Sequence, residues 1–149
     1  IGAEIKMLAR VDADMQRLKE VPGVGPTIAS GLVAAVGTGS SFAKGRDLAA
    51  WLGLVPRQAS TGGKAKLIAI SKHGSRYLRK LFIHGARTVL HLVRDRTSPI
   101  ARWAGGLKER AHVNVAAVAM ANKMARIAWA VLTKGERYRS TALVGQHTG

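Results

Sequence analysis

Six residues constrain this chain more than any others. Val21-Pro22-Gly23-Val24-Gly25-Pro26 separates two runs of helical periodicity. Upstream, Ile1, Ile5, Leu8, Val11, Met15 and Leu18 recur near i, i+4, i+7 and predict a helix ending by about Glu20. Downstream, Ile28, Leu32 and Val33 belong to a helix predicted over Thr27–Val36, with Pro26 suited to its first turn and Gly37-Thr38-Gly39 to its stop. Such a junction matches a helix-hairpin-helix, in which two glycines let the backbone turn tightly and the second helix points its N-terminal amides outward. Those amides and the positive end of the helix dipole suit a DNA phosphate. Contacts at Gly23, Val24, Gly25 and Thr27 would then position DNA without reading its bases. The alternative is a plain helix–helix turn, where glycine serves only the backbone.

The remaining pattern is mainly helical as well. Asp47 caps or opens a short helix through Trp51-Leu52, which Pro56 closes. A long helix is expected from about Ser75 to Arg94, one from Ser98-Pro99 to about Arg110, and an alanine-rich one from about Val113 to Leu132. Leu78, Leu81, Phe82, Val89, Leu92 and Val93 form the apolar side of the long helix; Val118, Met124, Ile127, Ala128 and Val131 form that of the last. Residues 57–73 read as a loop or a short β-hairpin, with Lys66–Ile70 as the only candidate strand. The expected fold class is therefore mainly α: a helix-hairpin-helix followed by a small helical bundle. Trp51, Trp103 and Trp129 sit inside apolar helical patterns and read as core anchors rather than base-stacking platforms. The polar stretch after Lys134 reads as frayed.

Charge narrows the function. Twenty-four Lys and Arg oppose eight Asp and Glu, for a net charge of +16. An excess of that size in a chain of 149 residues points to a polyanionic partner. Half the acids, Glu4, Asp12, Asp14 and Glu20, lie in the first twenty residues, and none lies between Asp47 and Asp95. That acid-free stretch carries Arg57, Lys64, Lys66, Lys72, Arg76, Arg79, Lys80, Arg87 and Arg94, a density that favours phosphate contact over an ordinary solvated face. The absence of cysteine excludes disulfides and thiolate zinc sites. His84 and His91 share a helix face but have no evident third ligand, so no metal site is expected and the imidazoles read as satisfied or partly buried. The most apolar stretch, Leu81–Val93, is interrupted by His84, Arg87 and His91, so no membrane partner is expected and the location is expected to be cytoplasmic.

Two further motifs carry chemistry. In Arg57-Gln58-Ala59-Ser60-Thr61-Gly62-Gly63-Lys64-Ala65-Lys66, a hydroxyl pair, a glycine turn and flanking cations can grip a phosphate, although the spacing is not that of a Walker loop. A serine attacking a phosphodiester needs cations to offset the charge developing on the phosphoryl oxygens, and a group to take its proton. Nearby cations supply the first; no nearby Asp or Glu supplies the second. From spacing alone the segment reads as a phosphate grip or an ordinary turn before it reads as a nucleophile loop. In Ile70-Ser71-Lys72-His73-Gly74-Ser75-Arg76-Tyr77-Leu78-Arg79-Lys80, Ser75 reads as an N-cap, with Ser71, Lys72, Arg76, Arg79 and Lys80 a second phosphate clamp or a capped surface helix.

In this order the pieces resemble a known family. PGVGPTIASGLVAAVG, FAKGRDLAAWLGLVPRQASTGGK, ISKHGSRYLRKLFIHGAR and MANKMARIAWAVL together look like the C-terminal domain of transposases of the insertion sequence 110 family, especially its 1111 subgroup. The resemblance implies that this domain supplies a serine nucleophile forming a phosphoserine link to DNA. It also implies an N-terminal RuvC-like domain with four acids and a divalent metal (magnesium), an element-encoded bridge RNA, and assembly as a homo-oligomer on DNA. Carried onto this sequence, the nucleophile falls on Ser60, with Thr61 as its neighbour, and the missing proton acceptor would come from the other domain. Ile68 and Ala69 stand where relatives commonly have a glycine and a basic or small residue. No RuvC-like acidic domain lies in this chain, so no cofactor is expected in it, and alone it should bind nucleic acid without recombining it. The expected organisation is 1–20 as the end of a linker or coiled-coil helix, 21–139 as the DNA-binding recombinase domain and 140–149 as a flexible tail. The chain begins at Ile1 inside a helical pattern, as a segment cut from a longer helix would. The competing reading is a non-catalytic helix-hairpin-helix module or a degenerate transposase remnant, and a third, weaker one is an RNA-structural protein.

Overall fold

A computed structural model of the chain describes residues 2–55, 72–92 and 98–138. Among them are six helices and no strand: α1 (Gly2–Leu18), α2 (Pro26–Val36), α3 (Gly45–Trp51), α4 (Lys72–Leu92), α5 (Pro99–Arg110) and α6 (Val113–Lys134). The mainly α expectation holds. The candidate strand at 66–70, and with it the loop or hairpin reading of most of 57–73, lies outside the described residues.

The alanine-rich α6 is the centre. It packs against α4, α3, α1 and α5, while α2 packs on α1 and α4. Small side chains allow this, because Ala116, Ala117, Ala121, Ala125, Ala128 and Ala130 are buried and let neighbours approach the helix axis. At the α3 contact a Cβ added to Gly45 would lie 3.1 Å from the Arg126 Cα, so glycine sets that spacing. Phe82 of α4 and Met120, Met124 and Ile127 of α6 are fully buried in one core, to which Leu18, Val21, Val24, Ile28 and Leu32 of α1, α2 and the turn between them also belong. By length and composition α6, not Leu81–Val93, is the stretch that could cross a bilayer; 67% of its most apolar window is buried inside this fold, as in a core helix.

Caps account for the helix ends. Ser98 accepts a hydrogen bond from the Ala101 amide at 3.2 Å with Pro99 behind it, and Gly135 closes α6 at φ 65°. Ser75 is not an N-cap: α4 already includes Lys72, so Ser75 lies a turn inside it. Leu92, placed on the apolar side by its spacing, is 63% exposed.

α1 is held at its C-terminal half. Asp14, only 2% exposed, accepts from Arg10 at 3.0 Å and from Arg17, and Arg10 also donates to the Leu132 carbonyl at 3.2 Å, near the negative end of α6. Of the stretch after Lys134, expected to fray, residues 135–138 are placed by Arg137, which donates to Glu20 at 2.7 Å, and by Tyr138 packed against the core, while 139–149 lie outside the described residues.

Candidate nucleic-acid interface

The turn between α1 and α2 is built by short backbone bonds. The Val21 amide donates to the Leu18 carbonyl and the Val24 amide to the Val21 carbonyl, both at 3.0 Å, while both side chains enter the core. Gly23 has φ 84°, and a Cβ there would lie 2.7 Å from the Met124 Cε and 2.9 Å from the Val89 Cγ2. From the other side, a Cβ on Gly85 of α4 would lie 2.3 Å from the Gly23 carbonyl oxygen. Gly23 and Val24 therefore face the protein.

Gly25 differs. It is the N-cap of α2 in extended conformation, no side chain caps the helix, and a Cβ on it would meet nothing within 4 Å. Pro26 occupies the first turn and has no amide to satisfy. The next amides, of Thr27 and Ile28, have no intrahelical acceptor. Pro26 and Thr27 are exposed, so the positive end of α2 opens to solvent at Gly25-Pro26-Thr27.

Packed against α2, α4 presents the expected cations. Arg76, Arg79 and Lys80 are exposed, and Lys72 is the first residue of the helix. The Arg79 Nε donates to the Gly53 carbonyl at 3.3 Å, and the Asn122 Nδ2 donates to the Leu54 carbonyl at 2.7 Å. These two bonds fix where the chain leaves α3, two turns along α4 from Lys72. Arg57, Ser60, Thr61, Gly62, Gly63, Lys64, Lys66 and Ser71, the other site residues expected from the sequence, lie outside the described residues. They belong to the stretch of chain between Leu54, held against α4 and α6, and Lys72, where α4 begins.

Next to that anchor are cations that sequence reasoning did not single out. Lys123 is 2% exposed, with its Nζ 4.8 Å from the centroid of the Trp103 ring. Burial first, and the neighbouring Arg126 second, pull its pKa below the usual lysine range. Burial lowers the Arg126 pKa too, and its Nε has no hydrogen-bond partner. Among the described residues no carboxylate pairs with either. A basic residue inside an apolar α6 pattern was the available signal, but periodicity alone marks such a residue only as misplaced.

His84 and His91 are exposed rather than partly buried. Among the described residues no three His, Cys, Asp or Glu side chains gather as a metal site would require. Trp51, Trp103 and Trp129 do pack against the core; Trp129 donates to the Gly39 and Phe42 carbonyls at 3.2 and 3.1 Å.

Residues 15–99 match the transposase IS116/IS110/IS902 family. A probable family 20 transposase of Pseudomonas aeruginosa is 51% identical over 136 residues, covering 91% of this chain and 40% of that protein. The transposase for insertion sequence element IS1111A of Coxiella burnetii is 46% identical over 139 residues, covering 93% of this chain and 38% of that protein. The transposase for insertion sequence element IS1328 of Yersinia enterocolitica is 44% identical over 135 residues, covering 91% and 40%. No solved structure matches. The chain thus spans about two fifths of the length of these relatives, and it belongs to the IS116/IS110/IS902 transposase family.

Proposed function

We propose that this chain is the DNA-binding C-terminal part of an insertion-sequence transposase, and that Ser60 is the nucleophile of its strand-transfer step. Family membership supports the transposase activity. The observation that supports the finer reading is the anchoring of Gly53 and Leu54 to Arg79 of α4 and Asn122 of α6, which holds the upstream flank of the Ser60 segment against the basic helix α4. In the proposed step the Ser60 Oγ attacks a backbone phosphorus and the bond to the departing strand breaks. That strand leaves as a hydroxyl, and the retained strand stays joined as a phosphoserine ester. Cations of the acid-free stretch offset charge on the phosphoryl oxygens, and the open end of α2 holds the duplex by its phosphates. The acids that take the serine proton, and the magnesium they would hold, belong in this reading to a RuvC-like domain elsewhere in the protein. A bridge RNA and a homo-oligomer on DNA complete it.

The test joins this segment to a RuvC-like domain of a relative and incubates it with element-end DNA, bridge RNA and magnesium. A denaturing gel then reports covalent protein–DNA species. A slowed band lost in Ser60→Ala and kept in Thr61→Ala is the expected result. Tight DNA binding with no band in the parent protein would leave a non-catalytic binding module or transposase remnant.

A further inference from the structure

One face of α4 continues beyond the phosphate clamp. Arg76, Tyr77, Lys80, His84, Arg87 and His91 are all exposed, and their spacing places them within about a third of a turn of one another along the helix axis. From Tyr77 to His91 the face runs about 21 Å, the length of about six stacked nucleotides. It ends in an open groove of about 660 Å³ between the C-terminal ends of α4 and α5 and the start of α6. His84, Arg87, His91 and Lys108 form its basic rim; Leu92 and Val113, 63% and 61% exposed, form apolar lips. None of the described residues lining it is acidic. Arg87 donates to the neutral Asn114 Oδ1 at 3.2 Å, and among the described residues no carboxylate pairs with it.

Duplex phosphates would use the cations of this face but neither the apolar groove nor Tyr77, which is 56% exposed among cations. An unpaired strand would use all three, because it offers phosphates to the cations and free base faces to tyrosine, imidazole and the apolar lips. We propose that the Tyr77–His91 face of α4 and the groove at its end form a track for single-stranded DNA, separate from the duplex contacts at the start of α2. The inference rests on the transposase reading above. It adds that the strand separated during transfer is held by this domain itself.

The test measures fluorescence anisotropy of labelled twelve-nucleotide oligothymidylate and of a twenty-base-pair duplex with the chain, Tyr77→Ala, and the double variant His84→Ala with His91→Ala. Each variant should weaken oligothymidylate about tenfold, as loss of one base-stacking contact does, and leave duplex binding within about twofold. Equal losses on both probes would overturn the proposal, because the face would then be a plain phosphate surface. Tighter binding of oligouridylate RNA with no binding of oligothymidylate would overturn it as well. So would an equal loss on polyglutamate, which marks the groove as a seat for an acidic protein. Intact duplex binding without single-strand binding refutes this inference alone; loss of both in the parent chain would also remove the DNA-binding reading.

Discussion

Replacing Gly85 by alanine tests how the hairpin is seated. Alanine favours a helix interior over glycine by about 0.8–1 kcal/mol, so on α4 alone the variant should gain stability. The new Cβ, however, would lie 2.3 Å from the Gly23 carbonyl oxygen, where real Cβ contacts do not fall below 3.0 Å. The obstacle is backbone and cannot rotate away. Separating the two would require a shift of about 0.7 Å between α4 and a hairpin whose Val21 and Val24 are packed in the core, which as overpacking costs about 1–3 kcal/mol. Met124 Cε, 3.2 Å from the same Cβ, adds to the crowding. Set against the helix gain, the net expectation is a loss of up to about 2 kcal/mol, or up to roughly 8 °C in Tm for a chain of this size. Circular dichroism melts and urea midpoints measure it. Gly106→Ala is the control: it too is helical, but its Cβ would meet only the Arg110 Nη1, the end of a flexible side chain, at 3.2 Å. Gly106→Ala should be neutral or stabilising by up to about 1 kcal/mol. A Gly85→Ala chain stabilised as much as Gly106→Ala would refute the close seating of the α1–α2 turn on α4.

Two further outcomes follow from buried charge. Asp14→Ala removes the buried carboxylate that Arg10 and the part-buried Arg17 share, leaving Arg17, whose Nε already lacks a partner, without its ion pair, and should lower the urea midpoint by an amount equivalent to about 1–2 kcal/mol; an unchanged midpoint would show that the triad contributes nothing. Lys123 has a folded-state pKa below its unfolded value, so between the two the unfolded chain binds more protons and stability rises with pH; the cost of the buried charge is full below that window and vanishes above about pH 10.4. Lys123→Met should lack this rise while keeping the contributions of every other group, so the parent should gain on the variant as pH increases, and parallel stability–pH curves would contradict the assignment.

Most of the fold was legible because helix signals are local. Pro22, Gly23, Gly25 and Pro26 stop one helix and start the next, Ser98-Pro99 caps another, and the alanine-rich pattern of 113–134 marks a helix able to sit at the centre. The basic, acid-free stretch pointed to a polyanion from composition alone. Where each residue faces was not legible, because periodicity ranks faces without saying which neighbour covers them. Gly23 and Gly25 look equivalent in sequence, yet α4 and α6 press on the first and nothing approaches the second. His84 and His91 became exposed, and Lys123 buried over Trp103, through the way α4, α5 and α6 are stacked, which joins residues distant in sequence. The sequence by itself determined the helices and the charge; tertiary packing decided which glycine faces the protein and which faces solvent, because close approach between helices depends on side chains far apart along the chain.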